Sequence, residues 1–171
     1  LVCDFGFCPS DVPGALGASA ELPRYGLQPM TIASGVCGLA LKKDLEQDDG
    51  TVRHQYTTGF PAPGMLACSF DPDLIFSVGK AIGREMQEYG VAFCLSPGCA
   101  LQRTPFDAVS QESWSEDPVL TGLCALFFCK GVQTHGAAIL RTGTLPRSLD
   151  IRLSSLRDIY ALPFEIAASA C

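Results

Sequence analysis

Three short stretches constrain this chain more than any other feature: MTIA at residues 30–33, VAFCL at 91–95 and AAILR at 137–141. Each is apolar almost throughout instead of alternating between apolar and polar. That pattern belongs to strands buried on both faces, as in a parallel sheet with helices packed against it. The segments between them read as helices. Leu74, Ile75, Val78, Ala81, Ile82 and Met86 recur at helical spacing, with Ser69 or Asp71 as cap, Pro72 in the first turn and Gly90 as stop. A second helix is predicted from Pro118 to about His135. Asp117 caps it, Leu120, Leu123, Cys124, Phe127, Phe128 and Val132 lie on its buried side, and Gly136 ends it. A third runs from Ser154 or Ser155 toward Ala170, with Pro163 as a kink inside it. The order strand, helix, strand, helix, strand, helix predicts one α/β domain over residues 1–171 with about three parallel strands. Residues 1–30 read as an irregular lead-in with one short helix. SGVCGLAL reads as a glycine-containing turn, and KKDLEQDDGTVRHQ as a charged loop.

Composition narrows the function. The chain is 47% hydrophobic, with a mean hydropathy of +0.23. Such a chain hides apolar surface in an unusually complete core or against a partner. No apolar run approaches the ~18 residues of a membrane span, so no membrane association is expected. The net charge is −6 and the basic residues are scattered, which argues against nucleic acid. LVCDFGFCPSDVPG has no basic region ahead of an apolar one and does not read as a signal peptide. Nine cysteines include three pairs of equal spacing, Cys3 and Cys8, Cys94 and Cys99, Cys124 and Cys129, together with Cys37, Cys68 and Cys171. None forms a C-x-x-C pair and the only histidines are His54 and His135, so no metal site and no cofactor are expected. Cysteines inside apolar runs act as small hydrophobes. The expectation is a cytoplasmic protein with reduced core thiols, the other possibility being a disulfide framework.

Four segments, taken in order, carry a resemblance. They are PGALGAS with RYGLQPMTIASGVCGLAL; GFPAPGMLACSFDPDLIFSVGKAIGREMQEYGVAFCLSPGCALQRTP; QESWSEDPVLTG; and LRDIYALPFEIA. They resemble the amino-terminal (β/α) barrel domain of family 3 of the glycoside hydrolases, the β-glucosidase family. The resemblance implies a partial TIM-barrel-like unit, truncated and with degenerate active-site motifs. It also implies a sugar pocket, whose positions can be carried over one at a time. The family's Asp-Gly-Pro aspartate falls on Ser34 and its proline on Val36. The arginine after Gly-Leu falls on Ala40. The arginine before Phe-Glu falls near Val109, and the aromatic on Gln111. The Lys-His pair falls on Arg141 and Thr142. Arg103, Glu112, Ser115, Glu116 and Asp117 match the family. The residual pocket positions are thus Ser34, Arg103, Glu112, Arg141 and Thr142.

What this pattern loses is the set of groups that would touch sugar. A buried hydroxyl left without its partner costs roughly 1–3 kcal/mol, so carbohydrate affinity is expected to be weak or absent. A retaining glycosidase needs two carboxyl groups about 5–5.5 Å apart, and the resemblance places both of the family's catalytic carboxylates outside the matched segments. No residue of this chain is therefore assigned as catalytic. Glu112, Glu116 and Asp117 read as helix-cap or scaffold groups, which carboxylates near a helix start favour. His54 reads as a solvated loop residue and His135 as a helix-end residue. The function expected is a non-catalytic, structural or assembly role, with a homo-oligomer or a second chain completing the barrel. The alternatives are a fragment of a β-glucosidase-type enzyme, with its catalytic carboxylates elsewhere, and a sugar-binding module.

Overall fold

The computed structural model describes residues 7, 8, 10–46, 49–104, 106, 110–140 and 152–169. Its main sheet has five strands in the order β1-β2-β3-β6-β7. The parallel part consists of β3 (Thr31–Ser34), β6 (Phe93–Leu95) and β7 (Ala137–Ala138). Their register pairs Ala33 with Cys94, and Cys94 with Ala138. These are the three strands expected from the apolar stretches. The expected irregular lead-in is corrected. β1 (Phe7–Cys8) and β2 (Gly17–Ser19) form an antiparallel hairpin that pairs with β3. The backbone amide of Leu16 donates to the Ile32 carbonyl and that of Ser19 to the Met30 carbonyl, which covers the outer edge of β3. A 3-10 turn follows at Pro23–Tyr25. The charged loop is also corrected, because β4 (Asp44–Glu46) and β5 (Val52–His54) form a separate hairpin. His54, expected as a solvated loop residue, pairs there through Nδ1 with Asp44 at 2.7 Å.

The helices start where the caps predict. After a short helix α1 (Pro63–Ala67), α2 spans Pro72–Tyr89. The Asp71 carboxylate accepts from the amides of Asp73 and Leu74, and Gly90 ends the helix at φ +69°. Helix α3 spans Pro118–Val132, and Asp117 Oδ1 accepts from the Leu120 amide at 2.8 Å. It stops short of His135 because residues 133–136 turn back into β7, with the amide of Gly136 donating to the Val132 carbonyl. The last segment is not one kinked helix. A single turn α4 (Leu153–Ser155) leads into a π-helical turn at Leu156–Tyr160, and α5 (Leu162–Ala168) begins anew. Pro163 sits in the first turn of α5, where its missing N–H costs nothing.

The core lies between the sheet and the α2–α3 pair. Ala33 and Cys94 on the sheet meet Ile75, Val78, Ile82 and Met86 of α2 and Cys124, Phe128 and Val132 of α3. The opposite sheet face carries Ile32, Phe93 and Leu95, which are only half-buried. Leu74 and Leu123, expected in the core, are exposed.

The two long helices touch through backbone. A Cβ on Gly79 would lie 2.4 Å from the Phe128 carbonyl oxygen, and one on Gly131 would lie 2.2 Å from that of Phe76. No side chain fits at those distances. Gly79→Ala must therefore push α2 and α3 apart and should destabilise the chain by about 1–3 kcal/mol. Denaturant melts check this, and a Gly79→Ala midpoint equal to wild type would contradict the packing described.

Candidate functional site

The three parallel strands point the same way, so their carboxyl ends gather on one side of the sheet, where open α/β folds place their ligands. The chain leaves β3 at Ser34 through Gly35, where a Cβ would strike Cys94 Sγ at 2.3 Å. The loop then folds back on itself. The Ala40 amide donates to the Ser34 carbonyl, and the Phe60 amide to the Cys37 carbonyl. Gly38 takes φ +110° beside the Thr58 carbonyl oxygen. The opposite wall is a 3-10 turn, Ser110–Glu112. Between them lies a first cleft of about 400 Å³, with Ser34, Cys37, Ala40, Thr58, Gln111 and Glu112 among its lining residues.

The chemistry of this cleft is sparse. Glu112 is the one carboxylate among the described residues that line it. Burial, and then the nearby Glu112 charge, push the Cys37 thiol above its ordinary range, so it is held protonated and is a poor nucleophile. Thr58 is turned elsewhere: its amide and hydroxyl both donate to Glu85 of α2. Two carboxyl groups at glycosidase spacing are not assembled among the described residues of the cleft. No cluster of three or more metal-ligating side chains occurs among the described residues. None of their helices is long and apolar enough to cross a membrane.

A second cleft of about 500 Å³ opens between α1 and the loop that precedes α3. Gln102 staples that loop. Its amide donates to the carbonyls of Ser110 and Ser113, and its backbone N–H to that of Ser115. Trp114 is buried against Phe128 in an edge-on contact, and its indole nitrogen has no hydrogen-bond partner among the described residues. Arg103 and Glu116 line this cleft, and the Arg103 guanidinium lies 5.1 Å from the centre of the Tyr160 ring. On the α1 side stands Phe70, at φ +50°, a conformation that costs a bulky residue of order 1–3 kcal/mol.

Of the residues singled out from sequence, the structure brings Ser34 and Glu112 into one cleft and places Arg103 in the other. Arg141, Thr142 and Val109 lie outside the described residues. Asp117 is the helix cap it was read to be. Sequence reasoning missed Cys37, Phe70 and Gln102 as cleft residues and Tyr160 as the partner of Arg103. Tyr160 meets Arg103 across 57 positions (160 − 103), and no local pattern announces that.

A parallel sheet with helices against one face, a half-buried inner face and a cleft at its strand ends is the wall of a (β/α) barrel. The glycosyl hydrolase family 3 N-terminal domain matches residues 27–144, and the chain belongs to that family. Among solved structures it is similar to β-glucosidase 3B from Thermotoga neapolitana in complex with α-D-glucose. That match has a TM-score of 0.86 and 35% identity over 95% of this chain and 24% of that one. Among curated sequences it is 32% identical to thermostable β-glucosidase B of Acetivibrio thermocellus over 84% of this chain and 20% of that protein. It is 31% identical to probable β-glucosidase J of Neosartorya fischeri over 80% of this chain and 18% of that protein. The chain thus spans between 18% and 24% of the length of these relatives.

The buried thiols carry a pH prediction. Burial pushes Cys94 up to about 12 and Cys124 up to about 11, from an ordinary 9.0. Above pH 9 the unfolded chain releases protons that the folded chain still holds. Stability should therefore fall as pH rises from about 9 toward 12. Thermal melts at pH 8 and 10.5, each on wild type and Cys94→Ala, check this. The alkaline loss should be smaller in Cys94→Ala, and an equal loss would exclude Cys94 as its source.

Proposed function

We propose that this chain is a family 3 barrel segment that does not itself hydrolyse glycosides and that acts by assembly, with a second copy or another chain completing the barrel. The first cleft carries the reading. Among its described lining residues it presents a single carboxylate, Glu112, with Ser34 and Ala40 where the family resemblance implies an aspartate and an arginine. One carboxyl group cannot be both the nucleophile and the acid/base, the two roles a retaining glycosidase divides between two carboxyl groups.

Assembly is supported by the inner sheet face. Ile32, Phe93 and Leu95 are half-buried on it, and β7 ends the strand order among the described residues. Covering apolar surface yields roughly 25 cal/mol per Å², and a paired edge removes a template for unwanted strand addition. The thiols of Cys94 and Cys124 are buried and outside any disulfide, which supports residence in a reducing, cytoplasmic setting.

A second reading is a piece of a β-glucosidase-type enzyme that hydrolyses O-glycosidic bonds once joined to its catalytic carboxylates. The similarity to β-glucosidase 3B over 95% of this chain favours it. Purified chain assayed against chromogenic aryl β-glucosides, xylosides and N-acetylglucosaminides tests the main reading. The expected result is no turnover above buffer. Turnover that persists through repurification and is abolished by Glu112→Gln would overturn it.

A further inference from the structure

One side of the first cleft is closed by a segment with no helix or strand of its own. Residues 56–60 lie between β5 and α1, and Thr57, Thr58 and Gly59 line the cleft together with Gln111 and Glu112 of the other wall. The two ends of the segment are pinned. The Gln55 amide donates to the Lys43 carbonyl and the Phe60 amide to the Cys37 carbonyl, and Phe60 packs against the main core. Between those pins, the hydrogen bonds among the described residues all go to α2. Glu85 accepts from the Thr58 amide through both carboxylate oxygens, at 3.1 and 3.3 Å, and also from the Thr58 hydroxyl. One helical turn further on, the Tyr89 hydroxyl donates to the Tyr56 carbonyl. Glu85 makes no ion pair among the described residues, so its charge is committed to this segment.

We propose that residues 56–60 form a lid over the first cleft, pinned at both ends and free to lift between them, with Glu85 as its latch and Tyr89 as a second catch. The lid has a seat. Gly38 stands at φ +110°, and a Cβ there would lie 2.0 Å from the Thr58 carbonyl oxygen, so the cleft floor is cut away where the lid rests. The lid also has a flexible point. Gly59 has no neighbouring atom within 4 Å of where its Cβ would stand, which leaves it room to take up a change of backbone angle. The latch is strong enough to hold and weak enough to release. A charge-assisted bond outlasts a neutral one, yet a loop held by side chains opens far more readily than a core helix unfolds. The neighbouring Ile82 and Met86 face the core, so α2 stays in place when Glu85 lets go. Lifting the lid widens the cleft beside Cys37, another of its lining residues. This goes beyond the assembly reading, because the lid covers the cleft whether or not a second chain completes the barrel.

Backbone amide relaxation, measured by NMR on the 171-residue chain, tests the latch. Order parameters at Thr57, Thr58 and Gly59 should be near the rigid value of about 0.85 in wild type and fall below about 0.6 in Glu85→Ala, while Ala40 and Ile82 keep theirs. Alkylation of Cys37, followed by mass spectrometry, reads access to the cleft. It should quicken at least about threefold in Glu85→Ala, because an uncovered and better hydrated thiol ionises more readily. Cys68, exposed at the second cleft, should keep its wild-type rate. Tyr89→Phe should loosen the lid in the same sense, and serves as the test if Glu85→Ala fails to fold. Equal order parameters at Thr57, Thr58 and Gly59 in wild type and both variants would overturn the proposal. So would a loosened lid with Cys37 reacting no faster, since the segment would then not cover the cleft. A fall shared by Ile82 would show α2 itself giving way and overturn it equally.

Discussion

The structure depends on one close contact, the backbone crossing of α2 and α3 through Gly79, Gly83 and Gly131. A Cβ on Gly83 would lie 2.7 Å from the Val132 carbonyl oxygen, so the two helices meet with no side chain between them. This closeness lets Ile82, Met86, Phe128 and Val132, all 2% exposed or less, converge on the same strip of sheet. Their burial holds Ala33 and Cys94 against the helices. It thereby fixes the direction in which β3 and β6 deliver their carboxyl ends. The loop walls of both clefts start from those ends and from the caps of α2 and α3.

A consequence is that the two sheet faces have different fates. The helix-side face, with Ala33 and Cys94, is buried under α2 and α3. The inner face, with Ile32, Phe93 and Leu95, is apolar but only half-covered. In a (β/α) barrel that face belongs to the central core, filled from all sides by other strands. The hairpin of β1 and β2 caps the β3 edge, which leaves β7 as the parallel edge among the described residues.

The parallel strands and helix starts were legible because single residues dictate them. Asp71 and Asp117 sit ahead of prolines and cap as expected. MTIA and VAFCL hold too few polar groups to be anything but buried. The two hairpins were not legible. β1 and β2 contribute two and three residues, too few to show a period. β4 and β5 are mostly exposed and polar, so no apolar signal marks them. Leu123 was misassigned because α3 is apolar around much of its circumference, and a helix without an amphipathic stripe does not say which side faces in. The glycine contact had a readable signature, Gly79 and Gly83 one turn apart on the buried face. The site was half legible. Motif positions located Ser34 and Glu112, but only folding shows that Arg103 turns toward Tyr160, since that contact joins distant parts of the chain.

The central claim is that the half-covered inner face and the β7 edge are completed by association. Light scattering coupled to size exclusion, on the purified chain at micromolar concentration, tests it most directly. The account predicts a mass of twice the 18.2 kDa chain or more, persisting on dilution through the micromolar range. A monomer of 18.2 kDa that unfolds cooperatively and binds no apolar dye would contradict it.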